Sequence, residues 1–181
     1  MAGPIEVVPY DPEWPIEFHR LGSKLRAALR EVAIRIDHIG STAIANMKAK
    51  PILDIQISVA ALEPMTPYKS PLESIGFNWR HDNSDLTKRY FREASGERRF
   101  HIHVRKVGSW TEQFSLLFRD YMRMHPADAA AYGGVKEQLA VRHRNHREAY
   151  VHAKGPFIWR VMPSATLWAQ EIGWEPGPTD M

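Results

Sequence analysis

The sequence predicts an α+β fold, a small mixed β-sheet packed by helices with a helical portion at the C-terminal end. Three observations predict it. Short runs in the first half alternate apolar and polar residues, as strands do. The run Pro51–Val59 separates two faces cleanly, with Asp54, Gln56 and Ser58 on one and Leu53, Ile55, Ile57 and Val59 on the other. From Trp110 onward the spacing becomes helical.

Taken in order, Ile5–Val8 reads as a short edge strand. Asp11-Pro12-Glu13-Trp14-Pro15 reads as a loop entering a helix, with prolines early and acids near the positive end of the helix dipole. That helix runs to about Glu31, with Phe18, Leu21, Leu25, Ala28 and Leu29 at helical spacing. Ile34, Ile36 and His38 alternate with Arg35, Asp37 and Ile39 as a strand, and Pro51–Val59 is the next. Pro64–Ser74 reads as a short helix stopped near Gly76. Residues 86–93 and 98–107 read as two strands joined by a turn at Ser95-Gly96. Helices follow over about 110–124, 126–149 and 155–172, with Pro126 and Pro156 near two of their starts. The tail around Pro176-Gly177-Pro178 is expected to fray.

A chain of 181 residues suits one domain, here a sheet-containing core over about 1–108 and a helical extension over about 109–175. Hydrophobic residues at 44% and charged residues at 25% are ordinary for a globular protein. The absence of Cys excludes disulfides, thiolate zinc sites and cysteine nucleophiles. The first residues, Met1 to Val8, have neither the basic nor the apolar part of a signal peptide. No apolar run approaches the roughly 18 residues that span a bilayer. A cytoplasmic protein with no membrane partner is therefore expected. The net charge of +3 is uneven: residues 86–160 hold 15 Lys and Arg against 7 Asp and Glu, a balance of +8, and the rest carry −5. A basic half facing an acidic one suits an anionic, phosphate-bearing ligand, although solvated helix faces would give the same count.

Four groups of residues could carry chemistry. Gly40-Ser41-Thr42 follows a strand, and such a turn can bring backbone N–H groups and hydroxyls to a phosphate. Asp54 lies in a strand otherwise written Ile, Leu, Ile, Ile, Val. An acid placed there costs free energy unless it is paired or metal-bound, and a structural bond to Lys50 or to backbone would also serve. Gln56 stands where a second carboxylate of a two-metal site would be, and it offers an oxygen but no charge. His101, His103 and Arg105 share one face of a strand, as Lys88, Tyr90 and Arg92 do on the strand before it. Two imidazoles two residues apart can reach one metal or one phosphate, and an Arg beside them adds a fork for phosphate.

Other residues carry less. Arg119 and Asp120 read first as a local salt bridge. Tyr132, Lys136, Lys154 and Trp159 could line a site, but sequence alone does not promote them. The cluster Arg142–Arg147 lacks the interleaved aromatic residues of a nucleic-acid surface, so a solvated helix face is preferred and a nucleic-acid partner disfavoured.

His38-Ile39-Gly40-Ser41-Thr42 followed by Lys50-Pro51-Ile52-Leu53-Asp54-Ile55 closely resembles the signature of the GrpB family. Pro9–Pro15, His101–Val104, Phe118–Tyr121 and Tyr132 with Lys136 resemble that family as well, in order along nearly the whole chain. The family is grouped with the polymerase-beta-like nucleotidyltransferases. In that superfamily a Gly-Ser turn holds the triphosphate, and acids on an Asp-x-Asp/Glu strand and on a later strand bind magnesium. The resemblance maps Gly40 and Ser41 onto the turn and Asp54 onto the first acid. It puts Gln56 at the second acid, and His101 and His103 where the later acid is expected.

Three functions follow from these readings. The first is nucleotidyl transfer from a nucleoside triphosphate. Gly40, Ser41 and Thr42 would hold phosphates, Asp54 with Gln56 and His103 would hold Mg2+ or Mn2+, and Lys50, Arg92 or Arg105 would neutralise charge, while His101 or His103 would serve as base or ligand. The second is a non-catalytic module that binds an anionic metabolite through Arg105 and His103. The third is a single-metal hydrolase built on Asp54, His101 and His103. The sequence names neither the acceptor nor the oligomeric state.

Overall fold

The computed structural model describes residues 4–94, 96 and 99–181. Met1–Gly3 and Ser95, on which the N-terminal and hairpin-turn readings partly rest, lie outside them. Helix α1 (Glu13–Leu29) starts where the Asp11 carboxylate accepts the Glu13 N–H at 2.9 Å, which satisfies one orphan donor of the first turn. Its spacing puts Trp14, Phe18, Leu21, Leu25 and Leu29 on one buried stripe. Strands β1 (Arg35–Ile39) and β2 (Leu53–Val59) pair antiparallel. Helix α2 (Thr66–Ser74) leads through Gly76, whose φ of +96° is left-handed, into β3 (Phe77–Trp79), a strand too short to betray itself by alternation. Strands β4 (Arg89–Glu93) and β5 (Phe100–Lys106) form the expected antiparallel pair.

The five strands lie in the order β1-β2-β5-β4-β3. β5 runs parallel to β2 and the other neighbouring pairs are antiparallel, so the sheet is mixed. Leu53, Ile55, Ile57, Phe91, Ile102 and Val104 point to the face covered by α1 and α2, where the main apolar core lies. The opposite face carries the polar alternates. Helices α3 (Trp110–Met124), α4 (Pro126–Arg142) and α5 (Arg147–Ile172) pack a second core with Ile44 and Met47 from the chain between β1 and β2. None of the described helices is long and apolar enough to cross a membrane.

Three expectations change. Ile5–Val8 is not a sheet strand: Val8 bridges Ala49 alone, and Ile5 donates its N–H to the Arg144 carbonyl beside α4. The break between the last two helices falls at residues 143–146, so α5 begins at Arg147 and runs through Pro156 and Pro163. His143, Asn145 and His146 are poor helix formers, and both prolines lie on exposed parts of α5, as do His152 and Trp159, whose carbonyls they deprive of an N–H partner. The tail is docked rather than frayed. The Thr179 hydroxyl accepts the Ile36 N–H at 2.9 Å, and Asp180 Oδ2 accepts the His38 N–H at 2.8 Å. β1 is an edge strand, and the tail satisfies donors that its missing neighbour would have taken.

Candidate functional site

Parallel pairing of β2 with β5 sets Asp54 opposite His101 and Gln56 opposite His103. Asp54 Oδ1 lies 3.1 Å from His101 Nδ1 and 3.3 Å from His103 Nε2. One donor atom from each of these three residues falls within 4.8 Å of the other two. Burial alone would raise the Asp54 carboxyl, but hydrogen bonds to and charge on the two imidazoles outweigh it and hold it well below the usual carboxylate range. Burial lowers His103 to about 4 despite the aspartate beside it. At neutral pH the set is thus an anion with a neutral His103 imidazole, the states that ligate a cation.

The turn behind this set is fixed by its own geometry. Gly40 has φ +70° and ψ −169°, a region essentially closed to residues with a Cβ. A Cβ there would come within 2.6 Å of Asp54 Oδ2, so the absence of a side chain lets the turn lie against the carboxylate. His38 Nε2 lies 2.9 Å from Thr42 Oγ1, and the His38 ring stacks on Phe18 at 4.8 Å. Burial drops His38 to about 3, so it is a neutral prop under the turn. Ser41 stays partly open.

These residues open into one cavity of about 290 Å³. Ser41, Thr42, Lys50, Asp54, His101 and His103 line it, joined by Lys136 from α4 and Tyr150, Val151 and Lys154 from α5. Three lysines converge on it, and none of them forms an ion pair among the described residues. The Lys50 and Lys154 ammonium groups sit 5.2 and 5.1 Å from the centroid of the Tyr150 ring. Burial lowers Lys50 to about 8, with Lys154 and Arg147 adding repulsion.

Of the residues singled out from the sequence, Gln56, Arg92 and Arg105 lie away from this cavity, and Gly40, Tyr132 and Trp159 do not line it. Gln56 is fully buried, accepting from Arg105 at 2.9 Å and donating weakly to the Glu112 carbonyl at 3.4 Å. Arg105 also donates to the Thr111 carbonyl and to Ser115 Oγ. The first turns of α3 therefore cap the polar face of β2 and β5 beyond Asp54 and His103, and Ser58 is tied there to Glu112. The alternation placed these residues on the right face, but the helix above divides that face into a buried network and an open site. Arg92 pairs with Glu93 at 2.8 Å and faces a separate small cavity with Arg80 and Tyr90. Conversely, Tyr150 and Val151 carried no local signal. Lys136 and Lys154 had only their charge to mark them, because their placement depends on how α4 and α5 dock.

A family model described as GrpB protein matches residues 4–164. The UPF0157 protein YqkA of Bacillus subtilis is 32% identical over 164 residues, covering 91% of this chain and 48% of that protein. The UPF0157 protein PA4798 of Pseudomonas aeruginosa is 34% identical, covering 89% of this chain and 67% of that protein. A dephospho-CoA kinase of Mycolicibacterium paratuberculosis is 31% identical over 96% of this chain and 49% of its own length, so the chain spans about half of several curated relatives that it matches. Among solved structures, the conserved protein GrpB from Enterococcus faecalis superposes with a TM-score of 0.81 at 31% identity, covering 90% of this chain and 99% of that one. The Cid1 poly(U) polymerase, described with Mg and 3'-dATP bound, superposes with a TM-score of 0.55 at 12% identity over 81% of this chain and 49% of its own, a likeness of fold alone.

Proposed function

The chain belongs to the GrpB family, and from that premise we propose that it binds a nucleoside triphosphate or another phosphorylated small molecule together with one divalent cation, on a nucleotidyltransferase fold. One observation carries this reading: a carboxylate and two imidazoles meet at one end of a cavity whose remaining charged lining is three lysines without carboxylate partners among the described residues. Lys50 and Lys154 leave positive charge there to be matched by a ligand.

Two imidazole nitrogens and one carboxylate oxygen fit a borderline cation such as Mn2+ or Zn2+ better than Mg2+, which prefers oxygen. His101 Nε2 and His103 Nδ1, the ring nitrogens turned away from Asp54, are buried without a hydrogen-bond partner among the described residues. Withdrawal of Gln56 into the network with Arg105 supports one cation rather than two. When bound, that ion would polarise a phosphoryl oxygen. Ser41 and the turn N–H groups would orient the phosphate, and Lys50 and Lys154 would offset charge gathering on it. In a transfer reaction an acceptor hydroxyl releases its proton to solvent as its oxygen bonds the α-phosphorus, the bond to the bridging oxygen breaks, and pyrophosphate leaves against the lysines. The names of the compared proteins, a poly(U) polymerase and a dephospho-CoA kinase, agree with a nucleotide or phosphorylated ligand.

The deciding experiment is a thermal-shift screen of nucleotides and phosphorylated metabolites with Mn2+, Zn2+ or Mg2+. A metal-dependent rise in Tm that Asp54→Ala abolishes supports the reading. No rise with any phosphate compound under any ion refutes it. A single-metal hydrolase is the second reading, favoured by the three-ligand set, which leaves a coordination position for water. Incubation with a triphosphate and Mn2+ separates the two: nucleotide attached to an acceptor marks transfer, and release to water marks hydrolysis. Binding without turnover leaves the non-catalytic module.

A further inference from the structure

In α4 the buried positions Ala129, Tyr132, Gly133, Lys136 and Ala140 recur at helical spacing, which places a lysine in a core position. Lys136 is only 2% exposed. Its stem passes the Tyr132 ring, leaving Nζ 4.7 Å from the ring centroid, and Nζ donates to the Lys48 carbonyl. It has no carboxylate partner among the described residues. Glu137, the next residue, is turned outward to Lys48 Nζ at 2.8 Å. Lys136 shares its cavity with Lys154 and Tyr150 on α5 and with Lys50 on the segment before β2, and it lies beside the Tyr132 ring of its own helix and the Lys48 backbone. Asp54, His101 and His103 line the far wall of the shared cavity.

An ammonium buried among lysines without a counter-ion is disfavoured, and burial followed by repulsion from Lys154 lowers Lys136 to about 7. The cavity wall beside it is open to a ligand. We propose that Lys136 is a charge-acquiring phosphate-binding residue: it takes up a proton as a phosphate-bearing ligand enters, so that ligand binding and protonation are one coupled event. This rests on the reading of the cavity as a phosphate site. The entering phosphate supplies the counter-charge that the fold withholds, and Lys136 then contributes a charge-assisted hydrogen bond. Affinity should weaken as pH rises above neutrality, because free Lys136 must then be charged at a growing cost.

The test is calorimetric titration of ATP with Mn2+ at about pH 8.5, repeated in buffers of different ionisation enthalpy, on the wild type and on Lys136→Met. At that pH the nucleotide is fully ionised, so proton uptake reports protein groups. The expected result is weaker binding by about tenfold or more in Lys136→Met, with proton uptake reduced by up to about one proton and a Tm no lower than wild type. Equal affinity in the two proteins, or lost affinity with unchanged proton uptake, overturns the proposal. If Lys136→Met does not fold, Lys136→Arg, charged at every pH used, takes its place: uptake at about pH 8.5 below that of wild type, with the difference gone near pH 6, supports it, and equal uptake in the two proteins at about pH 8.5 overturns it. A wild type that binds no phosphate probe at either pH refutes the phosphate reading itself, a result distinct from binding without proton uptake.

Discussion

Gly40→Ala is the substitution whose cost is set most directly by the geometry. Its backbone, at φ +70° and ψ −169°, lies where a residue with a Cβ costs about 1–3 kcal/mol. The added methyl would also stand 2.6 Å from Asp54 Oδ2 and 3.1 Å from Asp54 Cβ. The carboxylate end can swing aside, but doing so draws it away from His101 and His103. The Asp54 Cβ belongs to a central strand and cannot retreat as easily. The total is about 3 kcal/mol, which for a chain of this size lowers Tm by roughly 6–12 °C. Differential scanning calorimetry measures the loss, and titration of Mn2+ measures the accompanying fall in ion affinity. Gly134→Ala is the control: Gly134 lies inside α4 with nothing within 4 Å of the new methyl, so it should gain about 0.4–1 kcal/mol. A Gly40→Ala protein that melts within about 2 °C of wild type and binds Mn2+ equally would refute the argument that the turn is glycine-dependent because it lies on Asp54.

Three further outcomes are expected. Gln56→Glu should leave metal content at one ion per chain by elemental analysis, because the new carboxylate meets Arg105 under α3 rather than the cavity; a second bound ion would contradict this. Asp180→Ala should cost about 2 kcal/mol in urea denaturation, since the His38 N–H loses its acceptor and the buried Arg119 loses a carboxylate at 3.0 Å, and an unchanged midpoint would mean that the tail does not close the β1 edge. Lys50 and Lys136 sit at about 8 and 7 in the folded state, below the ordinary lysine value of about 10.4, so the unfolded chain binds more protons between those limits. Stability should therefore rise from about pH 7 to about pH 10 and rise less in Lys136→Met. Above that window buried tyrosines such as Tyr150, raised to about 12, reverse the slope, because the unfolded chain ionises first. A flat or falling urea midpoint across the window would rule the linkage out.

The alternation of β2 and β5 made much of the site legible, since period two alone assigns Asp54, His101 and His103 to one face. It could not say which part of that face α3 covers, so Gln56 and Arg105 looked equally available. That distinction depends on the packing of Glu112 and Ser115, more than fifty residues beyond β2. β3 was missed because three residues carry no period. The tail was misread because proline and glycine report local backbone preference, whereas its order comes from the unpaired N–H groups of a strand about 140 residues earlier. The lysines of the cavity were visible as charge but not as neighbours, because α4 and α5 bring Lys136 and Lys154 together only through tertiary packing.

The insertion of β5 between β2 and β4 has a consequence for the order of events during synthesis. On the ribosome, Asp54 emerges well before the imidazoles that complete its set, and the edge of β2 that they will occupy stays open meanwhile. A nascent chain cannot capture a cation by the completed set of three, and the lysines of α4 and α5 arrive later still. On the proposed reading, loading with ion and ligand would therefore follow closure of the sheet, and occupancy would report that the chain has finished folding.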